Sequence, residues 1–557
     1  MENKICRICN KPTLIGFLSF GKMPISSAFL KKEDLQKDEF FYNMDVGFCE
    51  NCKMVQVLDP VPPEKYLVPD EQGKVSYAFT TSTSKVMETH FKDLARQLEK
   101  KFLTDNKKAM DIGSNDGTLL SGYAQKDFAL GIEPSNNVAE KSIKRGVKTI
   151  KEFFTKNLAQ KIANSEGKFR VITSTNVTMD IIDLHDFIGG VAALLDDKGI
   201  FVTEDPYLLS VLENLSYDQI FDKLFSLTSF GNICNMYNLE IFDSEKIEVH
   251  GGSMRMYISK KGVYEKTKRL KEYLKKEKEA KIETLEPYKL FAKKIDENTK
   301  AYVNLIKTLK SRGKKIVGYA ASLKGTIVQN YCNLDKSLID YIVDSTPFKQ
   351  GLYSPGKHIP IVSPEKFRND NEADYAVLFA WNHAKEIMEK EKSFLERGGK
   401  FIVHIPEPKI LNPFIIDLKP LKVFHKKDEG YLFETLRSDD DIFEGKFGQN
   451  LISFANPGVK KGLHKQKKDV EYTTCIKGNI LYIAVKEIES GPPIIEKYII
   501  GESNNVMLKT PPGIWHGYMP LNNEGAIILY AIASPYNPKE PEETKDAYAF
   551  GDIWKKE

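Results

Sequence analysis

The sequence predicts a multidomain protein built from a small cysteine-rich module, two α/β domains and an all-β jelly roll. Three observations lead to this fold class. A chain of 557 residues exceeds what one hydrophobic core supports. Two tight cysteine pairs lie before residue 53, and strand and helix patterns then alternate until short strands with Gly/Pro turns take over near 417. We expect domains at 1–68, 69–285, 286–416 and 417–557.

The charge balance argues against a nucleic-acid or membrane partner. The chain has 81 Lys+Arg against 77 Asp+Glu, a net charge of +4. No stretch approaches the roughly 20 apolar residues that span a bilayer, and the opening MENKICRICN lacks the apolar centre of a signal peptide. We therefore expect a soluble, cytoplasmic protein that acts on small molecules.

The N-terminal cysteines have the spacing of a zinc site. Cys6-x2-Cys9 and Cys49-x2-Cys52 form two CxxC knuckles, which together supply four thiolates. Tetrahedral Zn²⁺ accepts four such ligands and then has no open position. The sequence therefore predicts a small zinc-binding module whose metal is structural and not catalytic.

The segments AMDIGSNDGTLL (109–120) and GIEPSNNVAE (131–140) predict a cofactor-binding loop in a Rossmann-like domain. A strand ends at Asp111, and Glu133 closes the next strand 22 residues later, where a carboxylate can hold ribose hydroxyls. Because no GxGxxG motif is present, S-adenosylmethionine, which has no phosphates, fits better than NAD. A doubly wound turn without ligand is the alternative. The residues expected at the cofactor are Asp111, Gly113, Asn115, Asp116, Gly117, Glu133 and Pro134.

Residues 1–412 resemble the sugar C-methyltransferases that act on nucleotide-linked 4-keto-deoxysugars. The motifs that carry the resemblance are, in order, CRIC and CENC, LSFGKMPISSAF, DIGSNDGTLL, GIEPSNNVAE, STNV, DLHDF, HGGSMRMY, GYAASLKG, DSTPFKQGLYSPGKHIPI and AWNHAKEI. The resemblance implies a zinc module, a central methyltransferase domain that uses S-adenosylmethionine, and a C-terminal α/β domain. It also implies that Asn176 of the STNV motif helps to bind the cofactor. The sugar nucleotide would lie in the cleft between the domains.

Two motifs offer candidates for binding that sugar nucleotide. In the family pattern HGGSMRMY lies at the cleft, where His250, Ser253 and Arg255 could donate to an anion or a sugar. A glycine-bracketed turn between strands is the alternative. Ser322 and Lys324 of GYAASLKG belong either to an anion-binding nest at a strand-to-helix turn or to a surface turn.

The residues expected to transfer protons differ from the family pattern. Family members carry Tyr-His-Glu-His where this chain has Phe221-Asp222-Lys223-Leu224, and they tend to place a histidine at Asp180. Carbon methylation needs a base and an oxyanion partner, but a carboxylate with a pKa of about 4 is a weak base for a carbon acid. Asp222 or Asp180 could be that base, or Asp222 and Lys223 could form an exposed ion pair on a helix. Methylation of a hydroxyl or amine, or no transfer, remains open.

Residues 417–557 resemble the deoxysugar-nucleotide 3,5-epimerases, which are cupin jelly rolls. The motifs are KKDEGYLFETLR, GQNLISFANPGVKKGLHKQ, IKGNILYIAV, PPGIWHGY and ILYAIASPYNP. The resemblance implies that His464 is the base that removes the proton beside the 4-keto group. It also implies that His516 is a cleft histidine and that Tyr536 lies near the proton donor.

The cupin departs from its family in the groups that support His464. The usual cationic lysine of the following strand falls at Glu471, and the sequence stops at DIWKKE, before the tail that normally supplies an aspartate to the histidine. We therefore expect an unpaired imidazole that titrates near neutrality. An epimerase or isomerase, a binding-only cupin and a metal cupin all stay open, although Tyr518 and Gln466 are poor further metal ligands.

Both halves thus predict one substrate class, a nucleotide-linked 4-keto sugar. We predict a bifunctional enzyme in which a methyltransferase that uses S-adenosylmethionine is fused to a 3,5-epimerase-like cupin. Fusion would keep an unstable keto sugar near its next active site. In the alternative, the front 412 residues are a non-catalytic scaffold that binds nucleotide sugar, and only the cupin is active. Cupins of this kind pair through strands, so a homodimer through the cupin is expected.

Overall fold

The computed structural model describes residues 4–62, 65, 77, 79–104, 108–125, 128–411, 416–421, 423–426, 430–440, 442–488, 491–539 and 541–555. The predicted boundary at residue 68 and residues 427–429, near the start of the KKDEGYLFETLR motif, lie outside these residues. The predicted order of a cysteine module, two α/β domains and an all-β domain is confirmed. Within the described part of the chain, no helix combines the length and apolar character needed to cross a membrane.

The N-terminal module is an antiparallel sheet that carries the cysteines in its turns. Its own strands are β1 (Leu14–Pro24), β2 (Phe41–Cys49) and β3 (Val55–Val57). Strand β1 pairs with β2, and β2 pairs with β3, so that the second cysteine pair sits in the β2–β3 turn.

The second domain is a doubly wound α/β sheet. Its order is β10-β11-β8-β7-β4-β5-β6, with β4 to β8 parallel and β11 antiparallel to β8. Because the chain winds outward in both directions from β4 and β7, a crevice opens at the carboxyl ends of these strands. The strands are β4 (Ala109–Ile112), β5 (Ala129–Ile132), β6 (Lys148–Ile150), β7 (Phe169–Thr175), β8 (Leu195–Pro206), β9 (Lys223–Leu224), β10 (Leu239–Ile247) and β11 (Ser253–Lys260). The helices are α1 (Lys85–Phe102), α2 (Asn136–Lys144), α3 (Lys156–Glu166), α4 (Leu184–Leu194), α5 (Leu208–Glu213), α6 (Leu227–Met236) and α7 (Lys268–Glu279).

Strand β9 does not join the sheet of its own domain. It pairs antiparallel with β3 of the N-terminal module, with Val55 opposite Leu224 and Gln56 opposite Lys223. The module sheet therefore has the order β1-β2-β3-β9. As a result, the segment expected to carry proton-transfer groups is held by backbone hydrogen bonds to the cysteine module.

The third domain is a second α/β sheet with the order β14-β13-β12-β15-β16-β17. Its strands are β12 (Lys315–Tyr319), β13 (Ile342–Val343), β14 (Ile361–Val362), β15 (Ala373–Leu378), β16 (Lys400–Val403) and β17 (Lys409–Leu411). Its helices are α8 (Glu286–Ser311), α9 (Leu323–Tyr331), α10 (Pro364–Arg368), α11 (Ala384–Lys390) and α12 (Lys392–Glu396). The apolar face predicted for α8 is buried, and its members are Phe291, Ile295, Tyr302, Ile306 and Leu309.

One hydrophobic core joins this third domain to the N-terminal module. Phe48 and Val55 of the module, Leu224 of β9 and Ile295 and Ile306 of α8 belong to a single buried cluster. The aromatic rings of Phe48 and Tyr288 stack with centroids 4.6 Å apart. The three front domains are therefore packed as one body around the crevice.

The C-terminal domain is a sandwich of two five-stranded sheets, as predicted for a jelly roll. The sheet orders are β18-β26-β23-β28-β21 and β25-β24-β27-β22-β29, and β19 and β20 form a separate hairpin. Buried side chains such as Tyr482, Leu508 and Ile528 fill the interior. The strands are β18 (Asp417–Pro420), β19 (Val423–Lys426), β20 (Gly430–Phe433), β21 (Gln449–Ala455), β22 (Lys461–Lys465), β23 (Glu471–Lys477), β24 (Asn479–Lys486), β25 (Ile494–Gly501), β26 (Val506–Thr510), β27 (Trp515–Pro520), β28 (Ala526–Ile532) and β29 (Glu543–Lys545).

Candidate functional site

The four predicted zinc ligands meet at the turns of the N-terminal module. The Sγ atoms of Cys6 and Cys52 are 3.6 Å apart, as are those of Cys9 and Cys49, and all four lie within 4.8 Å of one another. The Gln56 side-chain amide donates to the Cys6 sulfur at 3.0 Å, which suits a negatively charged thiolate. This set of four sulfurs fits a tetrahedral Zn²⁺.

Glu133 and Asp111 lie where the crevice opens in the second domain. The Glu133 carboxylate accepts from the backbone N–H of Asn115 at 3.0 Å and of Ser135 at 2.8 Å, and burial raises its pKa. Asp111 accepts from the Thr173 hydroxyl at 2.7 Å, and burial raises its pKa to about 7. Glu133 is thus fixed in place and retains acceptor lone pairs, which fits a ribose with two hydroxyls.

Three other predicted cofactor residues have different surroundings. The Asn115 side chain accepts from the backbone N–H of Thr81 at 3.0 Å, so it positions the chain that precedes α1. Asp116 is fully buried and forms an ion pair with Arg145 at 3.1 Å. These contacts argue for a role in loop structure and against a direct contact of Asp116 with cofactor. Pro134 is half-buried beside Glu133.

The loop glycines are required by protein packing. A Cβ atom on Gly113 would lie 2.4 Å from Val177, and one on Gly117 would lie 2.5 Å from Ser142. Both glycines also have φ of +74°. Asn176 adopts the left-handed conformation and donates its backbone N–H to the Glu204 carbonyl at 2.7 Å. The glycines therefore allow the loop to pack closely against Val177 and Ser142 of the protein itself.

Asp222 and Lys223 form a charge cluster with the N-terminal module, and the expected exposed ion pair on a helix is wrong. Lys223 is fully buried on β9, and its Nζ lies 2.5 Å from both the Asp222 carboxylate and the Ile181 carbonyl. Arg7 donates to both carboxylate oxygens of Asp222, through hydrogen bonds of 2.6 and 3.0 Å. The burial follows from the pairing of β9 with β3, which carries this segment into the core, where Leu224 also packs.

Asp180 faces this cluster from the β7 side of the crevice. Solvent reaches its side chain, yet protein surrounds it closely enough that loss of hydration raises its pKa to about 7. The charge of Asp222 adds to this shift, and Lys223 opposes it. Asp180 is therefore a stronger base than its residue type indicates.

Two tyrosines near Asp180 were not predicted from the sequence. Burial, followed by the charges of Asp180 and Asp222, raises the pKa of Tyr42 to about 12. Desolvation and the charges of Asp180 and Glu133 likewise raise the pKa of Tyr77 to about 12, although this residue is 44% exposed. Tyr77 thus connects the cofactor crevice with the acid–base cluster. Both residues lie outside the sequence motifs that indicated the site, so no signal in one sequence singles them out.

Ser253 and Arg255 are engaged within the protein, which argues against their predicted contact with substrate. The Ser253 hydroxyl donates to the Val249 carbonyl at 3.0 Å and closes the turn. Arg255 is 5% exposed and forms an ion pair with Glu204 at 3.0 Å. His90 contacts the same carboxylate at 2.6 Å, so the arginine is part of an internal network.

His250 and Lys324 face the cleft between the second and third domains. The Lys324 ammonium is buried, has no hydrogen-bond partner among the described residues, and lies 5.5 Å over the Trp381 ring. Burial lowers its pKa, and the charge of Asp218 opposes that shift. Burial and the Lys324 charge lower the pKa of His250 to about 4, so His250 is neutral at pH 7. Ser322 caps α9 by accepting from a backbone N–H, so its hydroxyl is already engaged.

In the cupin, Glu471 lies between the two predicted histidines. His464 and His516 are directly opposite each other on β22 and β27. Their Nε2 atoms are 3.6 and 3.3 Å from the Glu471 carboxylate, respectively. The expectation of an unpaired imidazole is therefore wrong. The expected shortage of further metal ligands is also wrong, because Glu471 can supply one. Burial lowers the pKa of His464, but the Glu471 charge outweighs it and raises that pKa above its ordinary value.

The predicted tyrosine near the proton donor does not lie in the jelly-roll interior. Tyr536 is 65% exposed, because it lies in the loop after β28. The interior instead holds Tyr518 and Tyr530, whose hydroxyls are 2.5 Å apart. The Gln466 side chain donates to Glu542 at 2.8 Å. The alternation of side chains along the strands places Tyr518 and Tyr530 in the interior, and the sequence motif alone did not reveal this position.

Comparisons with known proteins match the chain in four consecutive stretches. Family models match a zinc binding domain at 6–66, a methyltransferase domain at 85–243, a C-methyltransferase C-terminal domain at 248–406 and dTDP-4-dehydrorhamnose 3,5-epimerase at 418–547. C-methyltransferase NovU of Streptomyces niveus is 32% identical over 413 residues, which are 73% of this chain and 96% of the relative.

Further relatives match about a quarter of this chain. The spore coat polysaccharide biosynthesis protein SpsL of Bacillus subtilis is 30% identical over 123 residues, covering 22% of this chain and 81% of the relative. Among solved structures, a dTDP sugar isomerase from Desulfovibrio desulfuricans is 20% identical with a TM-score of 0.23, covering 24% of this chain and 85% of that one. A dTDP-4-dehydrorhamnose 3,5-epimerase from Elizabethkingia anophelis is 25% identical with a TM-score of 0.22, covering 26% and 82%.

Proposed function

The chain belongs to the C-methyltransferase family, and from this premise we propose that it is a bifunctional enzyme acting on a nucleotide-linked 4-keto-deoxysugar. The front 412 residues transfer a methyl group to the sugar, and the fused cupin exchanges a proton beside the keto group. Such nucleotide-linked sugars are made in the cytoplasm, which is where we place the enzyme, and we expect a homodimer through the cupin strands. The cysteine cluster holds a structural Zn²⁺.

The crevice at β4 and β5 supports the choice of S-adenosylmethionine. Glu133, oriented by two backbone amides, would accept from the ribose hydroxyls, and the loop from Asp111 to Gly117 would cover the adenosine side. Bound there, S-adenosylmethionine supplies an electrophilic methyl group. The rest of the chemistry then depends on a protein group that removes a proton from the sugar.

The single observation that carries the methyltransferase proposal is the environment of Asp180. At neutral pH an ordinary carboxylate is ionised but weakly basic, whereas a carboxylate with a pKa near 7 is matched to proton removal. Asp222 is held by Arg7 and Lys223, so it is the weaker candidate for the base. Asp222 instead raises the basicity of Asp180, and the buried Lys223 offsets part of the negative charge.

The sugar nucleotide would bind in the cleft beside Lys324. A buried ammonium without a hydrogen-bond partner among the described residues fits the diphosphate of a nucleotide sugar. The neutral imidazole of His250 can both donate and accept, as a sugar hydroxyl requires. This arrangement would place the sugar between the third domain and Asp180.

A second candidate function is a front half that binds the sugar nucleotide without methylating it. The observation in its favour is that Phe221 and Leu224 pack into hydrophobic cores and cannot move protons. In that case, the cupin would perform all the chemistry, with His464 and Glu471 at its centre.

Calorimetry and product analysis together separate the two functions. Wild type should bind S-adenosylmethionine, and Glu133→Gln should bind it more weakly, because a neutral amide accepts less strongly from ribose hydroxyls. Glu140→Gln, an exposed change on α2, is the matched control and should bind normally. With a deuterated methyl donor and a panel of nucleotide-linked 4-keto sugars, mass spectrometry should detect labelled sugar. Absence of cofactor binding in wild type contradicts the methyltransferase function, and binding without labelled product supports the scaffold.

A further inference from the structure

The jelly-roll interior brings two histidines and a glutamate together across the gap between its sheets. His464 on β22 and His516 on β27 belong to one sheet, and their rings are 4.1 Å apart. Glu471 begins β23 in the facing sheet. Three strands therefore bring one potential metal-ligating side chain each to the same point.

One ring nitrogen of His516 faces the Glu471 carboxylate at this point. The Nδ1 atom of His516 lies 3.0 Å from the Ile514 carbonyl, which can only accept, so Nδ1 carries a proton. The Nε2 atom has no hydrogen-bond partner among the described residues. Its nearest carboxylate oxygen, on Glu471 at 3.3 Å, receives a hydrogen bond from Thr473. His516 is 1% exposed, so this ring nitrogen is shielded from water.

The separation of Glu471 from His516 matches that between two ligands of one metal ion, and its separation from His464 lies just above that range. Two ligand atoms at about 2.1 Å from a metal and about 90–110° apart are about 3.0–3.4 Å from each other. The separations from Glu471 are 3.3 Å to His516 and 3.6 Å to His464, and all three ligand atoms lie within 4.8 Å of one another. At 3.6 Å a nitrogen and an oxygen are too far apart for a hydrogen bond.

We propose that His464, Glu471 and His516 bind a divalent first-row transition metal ion. Two imidazoles and one carboxylate suit Mn²⁺, Fe²⁺, Co²⁺ or Zn²⁺ and leave coordination positions open. The Ile514 carbonyl and the Thr473 hydroxyl act as outer partners that orient the ligands.

The open side of the proposed site is at His464, which is 20% exposed, so a substrate oxygen can reach the ion there. The ion converts a negatively charged interior into one that attracts the oxygen atoms of a keto sugar. An Nε2 atom that holds the ion cannot also take the proton from the sugar, so the metal-bound form and the base role of His464 in the proposed function exclude each other, and the proposal concerns occupancy of the site alone.

Titration of the zinc-loaded full chain with Mn²⁺, followed by electron paramagnetic resonance, tests this proposal. Mn²⁺ prefers nitrogen and oxygen ligands, so it leaves the four thiolates to zinc. We expect one Mn²⁺ bound per chain. In Glu471→Gln and His516→Ala the affinity for Mn²⁺ should fall. Loss of a residue that only orients a ligand costs about 10- to 100-fold in metal affinity, so loss of a ligand should cost at least as much. His383→Ala removes a histidine that is 44% exposed and lies outside the cupin, so this control should bind like wild type.

The proposal is overturned if wild type binds neither Mn²⁺ nor Co²⁺ beyond its zinc, or if both ligand variants bind as well as wild type. Thermal unfolding shows whether each variant is folded. Should a variant fail to fold, crystals of wild type soaked in Mn²⁺ decide the question. Anomalous scattering between the three side chains supports the site, and its absence rejects it. Because no measurement here involves methyl transfer or proton exchange, failure of the metal site leaves the proposed function untouched.

Discussion

Asp180→Asn should remove methyl transfer while leaving cofactor binding intact. The amide has nearly the shape of the carboxylate but cannot accept the proton, and loss of a general base costs about 10²–10⁴-fold in rate. The pKa of Asp180 is raised to about 7 by poor hydration and by the charge of Asp222. About half of the enzyme is therefore in the basic form at pH 7, and about a tenth at pH 6.

The assay is transfer of a labelled methyl group from S-adenosylmethionine to the 4-keto sugar nucleotide between pH 5 and 9. We expect kcat/KM at pH 6 to be about one fifth of its value at pH 7, because this profile reports the free enzyme. The pKa of Asp205 is also raised to about 7 by burial, so Asp205→Asn should be measured too, and it should keep the acidic limb.

Asp183→Asn is the matched control. Asp183 caps α4 three residues after Asp180, and asparagine caps a helix equally well, so this variant should react like wild type. A profile that is flat from pH 5 to 8, or an Asp180→Asn variant within about tenfold of wild type, would refute the assignment of Asp180 as the base.

Four further results are expected. Cys49→Ser should lose the structural zinc and unfold at lower temperature, whereas Cys475→Ala, in the cupin core, should keep its zinc; equal metal content in the two variants would contradict the cysteine site. Lys324→Met should raise the KM for the nucleotide sugar about 10- to 150-fold, which is the range for loss of a charge-assisted hydrogen bond. The affinity for S-adenosylmethionine should not change. An unchanged KM would show that Lys324 does not bind the nucleotide sugar. His464→Ala should abolish deuterium uptake by the keto sugar from heavy water, and continued uptake would exclude this histidine from the cupin chemistry. The folded protein keeps a proton on Asp205 up to about pH 7, whereas the unfolded chain releases it near pH 4. The contribution of Asp205 to the free energy of unfolding is therefore present at low pH and is lost as the pH rises between these values, by at most roughly 1.4 kcal/mol per pH unit. Asp205→Asn should weaken this loss of stability, and calorimetry at pH 5 and pH 7 would show the difference.

The sequence predicted the order of the domains and the cysteine cluster because the signals there are local. Cysteine spacing defines a tetrahedral site before folding is considered, and the four sulfurs do meet. The apolar period of α8 likewise predicted a buried face, and Ile295 and Ile306 are both fully buried. Strand–loop patterns placed Asp111 and Glu133 at the ends of adjacent parallel strands. In each case the pattern lies within a few turns or strands of chain.

The acid–base residues could not be predicted as well, because their properties come from distant segments. Lys223 looks like a surface residue until β9 is seen to pair with β3, some 170 positions earlier in the chain. Glu471 was interpreted as the loss of a lysine, and only the facing sheet shows it between two histidines. The basicity of Asp180 depends on surrounding protein that no local pattern encodes.

The pairing of β9 with β3 limits where the protein can be divided into separately expressed fragments. Four matched family models in succession suggest units that could be expressed separately, yet a fragment starting after the cysteine module would leave Lys223 and Leu224 without their β3 neighbours. The buried ammonium of Lys223 would then be uncovered, and Asp222 would lose Arg7. In the described part of the chain, the cupin shares neither a sheet nor a buried hydrophobic cluster with the front domains, whereas the third domain shares a cluster with the cysteine module, so a cut near residue 416 is the division that the architecture favours.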